Sequence, residues 1–486
     1  MQKERQKRSG AYYTPDPAVA TLLQWAVRSD ADRLLDPSCG DGRFIAGHHN
    51  SVGIEQDPAA ASTAICRAPW ALVHEGDFFA WAANTTERFE CAAGNPPFIR
   101  YQTFAGDVRE RALSLCARIG ATFSGLTSSW APFLVATASL LKPGGRMAFV
   151  VPAEIGHAPY SAPLLEYMAR SFSRVHIVAV KNKLFPDLSE DCWLLYAEGF
   201  GGSTAELHFT AVETFKPSAR PPRATERILV AAWRDRWNRR LRPFLMPEAA
   251  RELYQLAVSH SGSLRFGAIA SIGIGYVSGA NDFFHLRPST AERFGIPGKL
   301  LHPAARNGKA LPPKQLTQAT VDGWKRHDEP VMLLRLEKTT KIPASVQRYL
   351  DTDEGRTARK AYKCRVRDPW YAVPDVQVPD FFLTYMSGRS PSLVRNSAGA
   401  TCTNSLHSVR VRDRSAIGRV IEAWDSPFAK LSCEIEGHPL GGGMLKLEPR
   451  EATQILIPAN SLARELADPA IASAVETMRN WRHYAS

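Results

Sequence analysis

The 486-residue chain lacks several features that would narrow its class at once. Its eight cysteines, at positions 39, 66, 91, 116, 192, 364, 402 and 433, are scattered, with no Cys-x-x-Cys pair and no short Cys/His grouping that would suit zinc, and they read as reduced, mostly buried thiols. Residues 1–10 are polar and basic, and no apolar run reaches the ~18 residues that a membrane helix needs. The expectation is therefore a cytoplasmic protein with no membrane partner and no metal. No internal repeat of solenoid period is present, and acids are in deficit, with 48 Asp and Glu against 60 Lys and Arg, a formal charge of +12. A basic balance of that size favours a polyanionic partner without proving one. What is there is otherwise ordinary: 44% hydrophobic and 22% charged residues, the composition of a folded globular chain long enough for two domains.

Between about 18 and 200, short apolar runs alternate with helical patterns, as in a mostly parallel α/β sheet. Strands are expected at 33–35, 51–54, 71–74 and 90–93. A helix at 130–141, stopped by Lys142-Pro143-Gly144-Gly145, precedes a strand at 146–151. Strands at 175–180 and 192–196 then flank Phe185-Pro186 as a pair joined by a long loop. The texture changes near Lys216, where a Pro- and Arg-rich stretch leads into Arg234, Arg236, Arg239, Arg240 and Arg242 around Trp233 and Trp237. That cluster reads equally as a nucleic-acid-facing patch or a solvated helix face. The chain is divided on this basis into 1–225 and 226–486, the second part of mixed α/β character.

Three elements in the first part stand in the order of a nucleoside-binding site. The segment from Asp36 through Ser38, Gly40 and Gly42 makes a glycine turn between a strand and a helix, where the backbone can approach a ligand closely. It lacks the full spacing of a dinucleotide fingerprint. Glu55 closes the second strand, where an acid accepts hydrogen bonds from ribose hydroxyls. Asp77 can accept from an adenine amine while Phe78 lies against the ring. Each acid taken alone is as well explained as a surface residue, and it is the three in register that favour the site.

The tetrapeptide Asn95-Pro96-Pro97-Phe98 follows the fourth strand. A planar exocyclic amine is a poor nucleophile because its lone pair is delocalised. Two acceptors on its hydrogens, the Asn95 side-chain oxygen and the Pro96 carbonyl, would draw the nitrogen toward tetrahedral geometry, with prolines fixing the loop and Phe98 stacking on the ring. A rigid structural turn is the alternative, and the neighbouring cofactor elements weigh against it.

Together these residues resemble the gamma-class, TaqI-like adenine-N6 DNA methyltransferases of restriction-modification type. In that family a Gly-x-x-Tyr-Thr-Pro-type segment covers the cofactor, and Gly10 to Pro15, with Tyr13 and Thr14, is similar to it. The first motif is matched by Asp36 to Gly42, the ribose acid by Glu55, the adenine-contacting pair by Asp77-Phe78, and the catalytic loop by Asn95 to Phe98. Phe98 stands where Tyr is commoner. Phe185-Pro186 resembles the pair whose aromatic contacts the extruded base, with Pro97 beside that base.

The resemblance implies a Rossmann-like methyltransferase domain, a C-terminal target-recognition domain, S-adenosylmethionine as cofactor and double-stranded DNA as partner. It also implies a separately encoded cognate restriction endonuclease and a monomeric enzyme. It is strong over about 8–200 and looser beyond, where 274–284, 301–308, 362–374 and 437–447 are similar to target-recognition segments. Arg306, Lys309, Lys360, Lys363, Arg365 and Arg367 are the expected DNA contacts, basic residues interleaved with Tyr362, Trp370 and Tyr371. Release-factor glutamine methyltransferases and some ribosomal-RNA methyltransferases share the Asn-Pro-Pro-aromatic loop, and a catalytically inactive DNA-binding subunit is a further reading. Tyr12 to Pro15 and the basic second half weigh against the first two, and the intact Asn95, Glu55 and Asp77 against the last.

Overall fold

Alternating short apolar runs can bury both faces of a sheet only if helices cover it, and the first half of the chain folds that way. The computed structural model describes residues 13–185, 190–339, 341–440 and 442–484. Nine strands share one sheet: β1 (Leu34–Asp36), β2 (Ser51–Glu55), β3 (Leu72–Glu75), β4 (Phe89–Gly94), β5 (Leu141–Pro152), β6 (Phe172–Val180), β7 (Cys192–Phe200), β8 (Glu206–Val212) and β9 (Glu226–Leu229). Their order is β3-β2-β1-β4-β5-β7-β6-β8-β9. Strands β1 to β5 pair in parallel, whereas β7 runs antiparallel to both β5 and β6. This is the expected α/β, Rossmann-like arrangement.

The order decides where a ligand can bind. From β1 the chain winds outward to β2 and β3, then returns to place β4 on the other side of β1. The crevice at the carboxyl ends of β1 and β4 is thus the topological switch point, where open α/β sheets hold their ligands. Asp36 ends β1 and Gly94 ends β4, so the glycine turn and the Asn95 loop both emerge there.

Two local expectations are corrected. The buried helix Trp130–Ala138 ends before 141, and Lys142 to Gly145 belongs to β5. Leu141 pairs with Phe89 and Arg146 with Cys91, so the intervening residues bulge out of the ladder, and Gly144 takes φ +78° to let them do so. The arginine cluster after Lys216 is a solvated face only in part, with Arg236 and Arg239 exposed. Trp233, Trp237, Arg240 and Arg242 are buried, while Arg234 and Arg239 converge on Glu166.

The chain divides into two compact units, the first ending at Leu245 and the second starting at Met246. The first unit runs past 225 because β9 pairs with β8 and Trp233 is fully buried behind it. The second unit is mixed α/β. Its five-stranded sheet is ordered Ala270–Ile274, Leu406–Val411, Phe381–Thr384, Leu393–Asn396, Gln315–Leu316, with smaller sheets beside it. Helices Pro427–Glu436 and Pro469–Asn480 lie in contact. Beside them the fully buried Arg482 guanidinium donates to the buried Glu434 carboxylate at 2.8 Å, and Arg479 lies 3.9 Å from the same oxygen.

Breaking a buried pair from one side strands the other charge. Glu434→Gln is therefore expected to cost the protein about 3–5 kcal/mol, read as a lowered denaturant midpoint for the transition that includes the second unit.

Candidate active site

The glycine turn owes its shape to backbone positions that exclude side chains. Gly40 and Gly42 take φ +53° and +87°, and a Cβ on Gly42 would come within 2.8 Å of the Ala64 backbone. Glu55, at the end of β2, holds the turn: its Oε2 accepts from the Gly40 N–H at 2.8 Å and its Oε1 from the Asp57 N–H at 2.7 Å. Each carboxylate oxygen keeps a second lone pair, which is what a ribose diol would need.

Tyr13 and Thr14 arrive over this turn. Thr14 is buried, and a Cβ added to Gly40 would lie 3.6 Å from the Tyr13 ring. Arg43 fastens the segment, donating to the Thr14 carbonyl and to Asp16 at 3.2 Å each and to Asp41 at 3.2 Å. Its guanidinium sits 5.5 Å from the Tyr13 ring centroid. Residues 10–12 of the expected segment lie outside the described residues, as does Pro186.

Asp77 is placed differently from a free acceptor. Its Oδ1 caps the helix Phe78–Asn84 through the Ala80 N–H at 2.8 Å, and Arg111 stands 3.6 Å from the same oxygen. Phe78 departs further from expectation. It is only 3% exposed and stacks on Phe133 at 5.1 Å, so it is committed to the core and offers little surface to a ligand ring.

The Asn95 loop is fixed at both ends. Ser38 Oγ donates to the Asn95 carbonyl at 3.3 Å, joining the loop to the glycine turn. Ser129 is wholly buried at the start of helix Trp130–Ala138. Its hydroxyl donates to the Pro97 carbonyl and accepts from the Ile99 N–H at 3.1 Å, and its own N–H donates to the Ile99 carbonyl at 3.0 Å. Phe98 is held between these bonds. It is half-buried against the apolar cluster that contains Leu184 and Phe185, and Arg100 pairs with Glu190 across to the same β6–β7 connection at 2.7 Å. Of the two expected aromatics, Phe98 therefore retains surface while Phe185 is buried.

Between turn and loop lies Asp36, 1% exposed. Its Oδ1 accepts from the Ser38 N–H at 3.1 Å, and a Cβ on Gly94 would come within 2.7 Å of that oxygen. Only glycine fits at the end of β4 for that reason. Burial, reinforced by the nearby charges of Glu55 and Asp41 and opposed by the Ser38 N–H, raises the Asp36 carboxyl to about 8. The site thus joins a glycine turn, an acid with spare lone pairs and a rigid Asn-Pro-Pro loop within hydrogen-bond reach. That arrangement can hold a nucleoside-bearing donor beside a planar amine.

The family model of the Type II methyltransferase M.Eco57I C-terminal domain matches residues 238–484, more than half of the chain. The chain belongs to that family. Type II methyltransferase M.XamI of Xanthomonas campestris pv. amaranthicola is 24% identical over 94% of this chain and 86% of its own length. Type II methyltransferase M.AccI of Acinetobacter calcoaceticus is 19% identical over 92% and 85%. Among solved structures, the Type IIL restriction-modification enzyme MmeI in complex with DNA superposes with a TM-score of 0.52 at 12% identity. That match covers 93% of this chain and 64% of the MmeI chain, and it shows a shared fold.

The expected DNA contacts of this family member are unequal. Lys309, Lys360, Lys363 and Arg365 are exposed. Arg306 pairs with Asp282 at 2.7 Å. Arg367 is a correction: its guanidinium donates to the carbonyls of Ser278, at 2.6 Å, and of Val277, and desolvation lowers its pKa. It is spent on the fold. Sequence reading also missed Ser129 and Arg43, which act on partners about 30 residues away and carry no local signature.

Two outcomes follow from this geometry. An acid whose folded pKa lies above its ordinary 3.8 holds a proton that the unfolded chain releases, so its contribution to stability falls as pH rises from about 4 to about 8 and then levels off. Asp36→Asn is expected to flatten that part of the pH–stability curve, measured by denaturant melts at intervals across it. Ser129→Ala leaves the Pro97 carbonyl and Ile99 N–H without their hydroxyl partner and is expected to cost about 1–3 kcal/mol, with Ser129→Thr recovering part of it.

Proposed function

We propose that this restriction-modification family member is an adenine-N6 DNA methyltransferase of the gamma class, in which residues up to Leu245 bind S-adenosylmethionine and carry the chemistry while those from Met246 recognise duplex DNA. The observation that carries the reading is the Ser38–Asn95 bond at the switch point. It puts the turn that fits a nucleoside cofactor against the loop that fits an amine.

The residues present fit the cofactor. The Gly40 turn leaves space under Tyr13 that a Cβ would begin to fill, Glu55 has a lone pair left on each oxygen for ribose hydroxyls, and Thr14 closes the side toward Arg43. When bound, S-adenosylmethionine supplies an electrophilic methyl group on its sulfonium. The chain's own residues prepare the acceptor. Asn95 Oδ1 and the Pro96 carbonyl accept the two N6 hydrogens and turn the amine lone pair out of the ring plane. Phe98 offers a ring face to the base, and Pro97 completes the floor of that pocket. Neither amide oxygen is basic enough to keep the proton that N6 sheds, so both hold hydrogens in place and the proton passes to solvent.

A duplex hides N6, so the adenine has to be rotated out at a cost of a few kcal/mol. Exposed cations of the second unit, including Lys309, Lys360, Lys363 and Arg365, offset that cost through phosphate contacts. A separately encoded endonuclease of the same specificity, action as a monomer and location in the cytoplasm belong to this reading. No helix among the described residues is long and apolar enough to cross a membrane.

Purified protein given S-adenosylmethionine with a labelled methyl group is expected to label duplex DNA, with N6-methyladenine as the recovered base after digestion. Asn95→Ala is expected to lower turnover by about 100-fold or more while cofactor binding stays near wild type. Label confined to RNA or protein overturns the proposal, and near-wild-type turnover of Asn95→Ala overturns the role given to that side chain.

A further inference from the structure

Single exposed apolar side chains are ordinary, whereas apolar groups brought together and rimmed by polar residues mark contact sites. The short helix Tyr362–Arg365 in the second unit carries two such side chains one turn apart: Tyr362 is 65% exposed and Val366 at its C-cap 61%. The mount itself is firm. Cys364, between them, is fully buried with its Sγ 3.5 Å from the Ser278 carbonyl, and Arg367 bonds the carbonyls of Val277 and Ser278. Gly279, at φ +86°, lets that loop pass so close that a Cβ would lie 2.8 Å from the Lys363 Cβ. The exposed pair is thus held out by a buried thiol, a half-buried guanidinium bonded to two backbone carbonyls and a glycine whose replacement would clash.

The surroundings select the partner. From Arg356 to Arg367 the chain has six basic residues and no acid. Arg356 is engaged by Asp353 and the Asp351 carbonyl, and Arg367 by the carbonyls just named. Arg359, Lys360, Lys363 and Arg365 are exposed and in no ion pair among the described residues. Lys363 Nζ and Arg365 Cζ lie 5.7 and 6.0 Å from the Tyr362 ring centroid. The acids around it are Asp351, Asp353 and Glu354 around the start of the preceding helix, Asp368 beyond Arg367, and Asp282 on the helix packed against that one, which pairs with Arg306 at 2.7 Å. An aromatic and a branched aliphatic side chain ringed by uncompensated cations complement duplex DNA, which offers an apolar base stack between two rows of phosphates.

We propose that Tyr362 and Val366 form a wedge that meets the base stack of duplex DNA, with Lys363 and Arg365 on the flanking phosphates and Arg367 as the positioning residue that holds the wedge out. The proposal rests on the DNA reading above and adds to it an apolar contact within a surface otherwise read as electrostatic.

The two kinds of contact separate by their salt dependence. Binding of the full-length protein to a short mixed-sequence duplex is followed by fluorescence anisotropy over a range of salt concentrations. Lys363→Ala and Arg365→Ala are each expected to make the plot of log affinity against log salt shallower by about one unit. Tyr362→Ala is expected to weaken binding about tenfold at every salt concentration with the slope unchanged, and Tyr362→Phe to bind like wild type.

Wild-type affinity in Tyr362→Ala overturns the wedge. So does a loss in that variant confined to low salt, because the ring would then serve only to place cations. A wild-type protein that neither binds nor labels DNA overturns the function itself, whereas one that labels DNA while Tyr362→Ala binds normally overturns the wedge alone.

Discussion

The site depends on one constraint: the carboxyl ends of β1 and β4 must lie side by side with almost nothing between them. Asp36 fills that seam. Its carboxyl occupies the space a Cβ on Gly94 would take, and its neighbour Ser38 reaches across to the Asn95 carbonyl. The glycine at the end of β4 is thus dictated by the acid at the end of β1, and the Asn-Pro-Pro loop starts from a point that the glycine turn helps to fix. Residues further out tighten the same joint. Glu55 braces the turn from β2, Ser129 fixes the far end of the loop, and Arg43 draws Tyr13 and Thr14 down over the turn.

Much of this was legible in the sequence because its causes are local. Strand positions follow from apolar runs, the turn from its glycines and the loop from its prolines, each decided by neighbours a few residues away. The errors arose where a distant partner decides. Lys142 to Gly145 looks like a helix stop followed by a strand, yet pairing of Leu141 with Phe89 draws it into β5 as a bulge. The arginines after Lys216 look solvent-facing until Glu166, some 70 residues earlier, is seen to collect two of them. Phe78 reads as a ligand contact because it follows Asp77, but Phe133 claims its ring. Ser129 could not have been found at all, since nothing near it in sequence announces that Pro97 and Ile99 will need it.

The second unit was less legible for a related reason. Its strands are short, and its sheets pair segments far apart, such as Ala270–Ile274 with Leu406–Val411. Period and composition could indicate mixed α/β character and a basic excess, but not which cations are free. Arg367 and Arg365 stand two residues apart and look alike in sequence. One is consumed by backbone carbonyls and the other left exposed, and only the Val277–Gly279 loop distinguishes them.

The Ser38–Asn95 bond carries a thermodynamic corollary. A single hydrogen bond joins the glycine turn to the Asn95 loop, so on the proposed reading a ligand that stiffened the turn would lower the entropy still to be lost in the loop. Linkage would then require reciprocity: the nucleoside would strengthen capture of the base by the same factor that the base strengthened retention of the nucleoside.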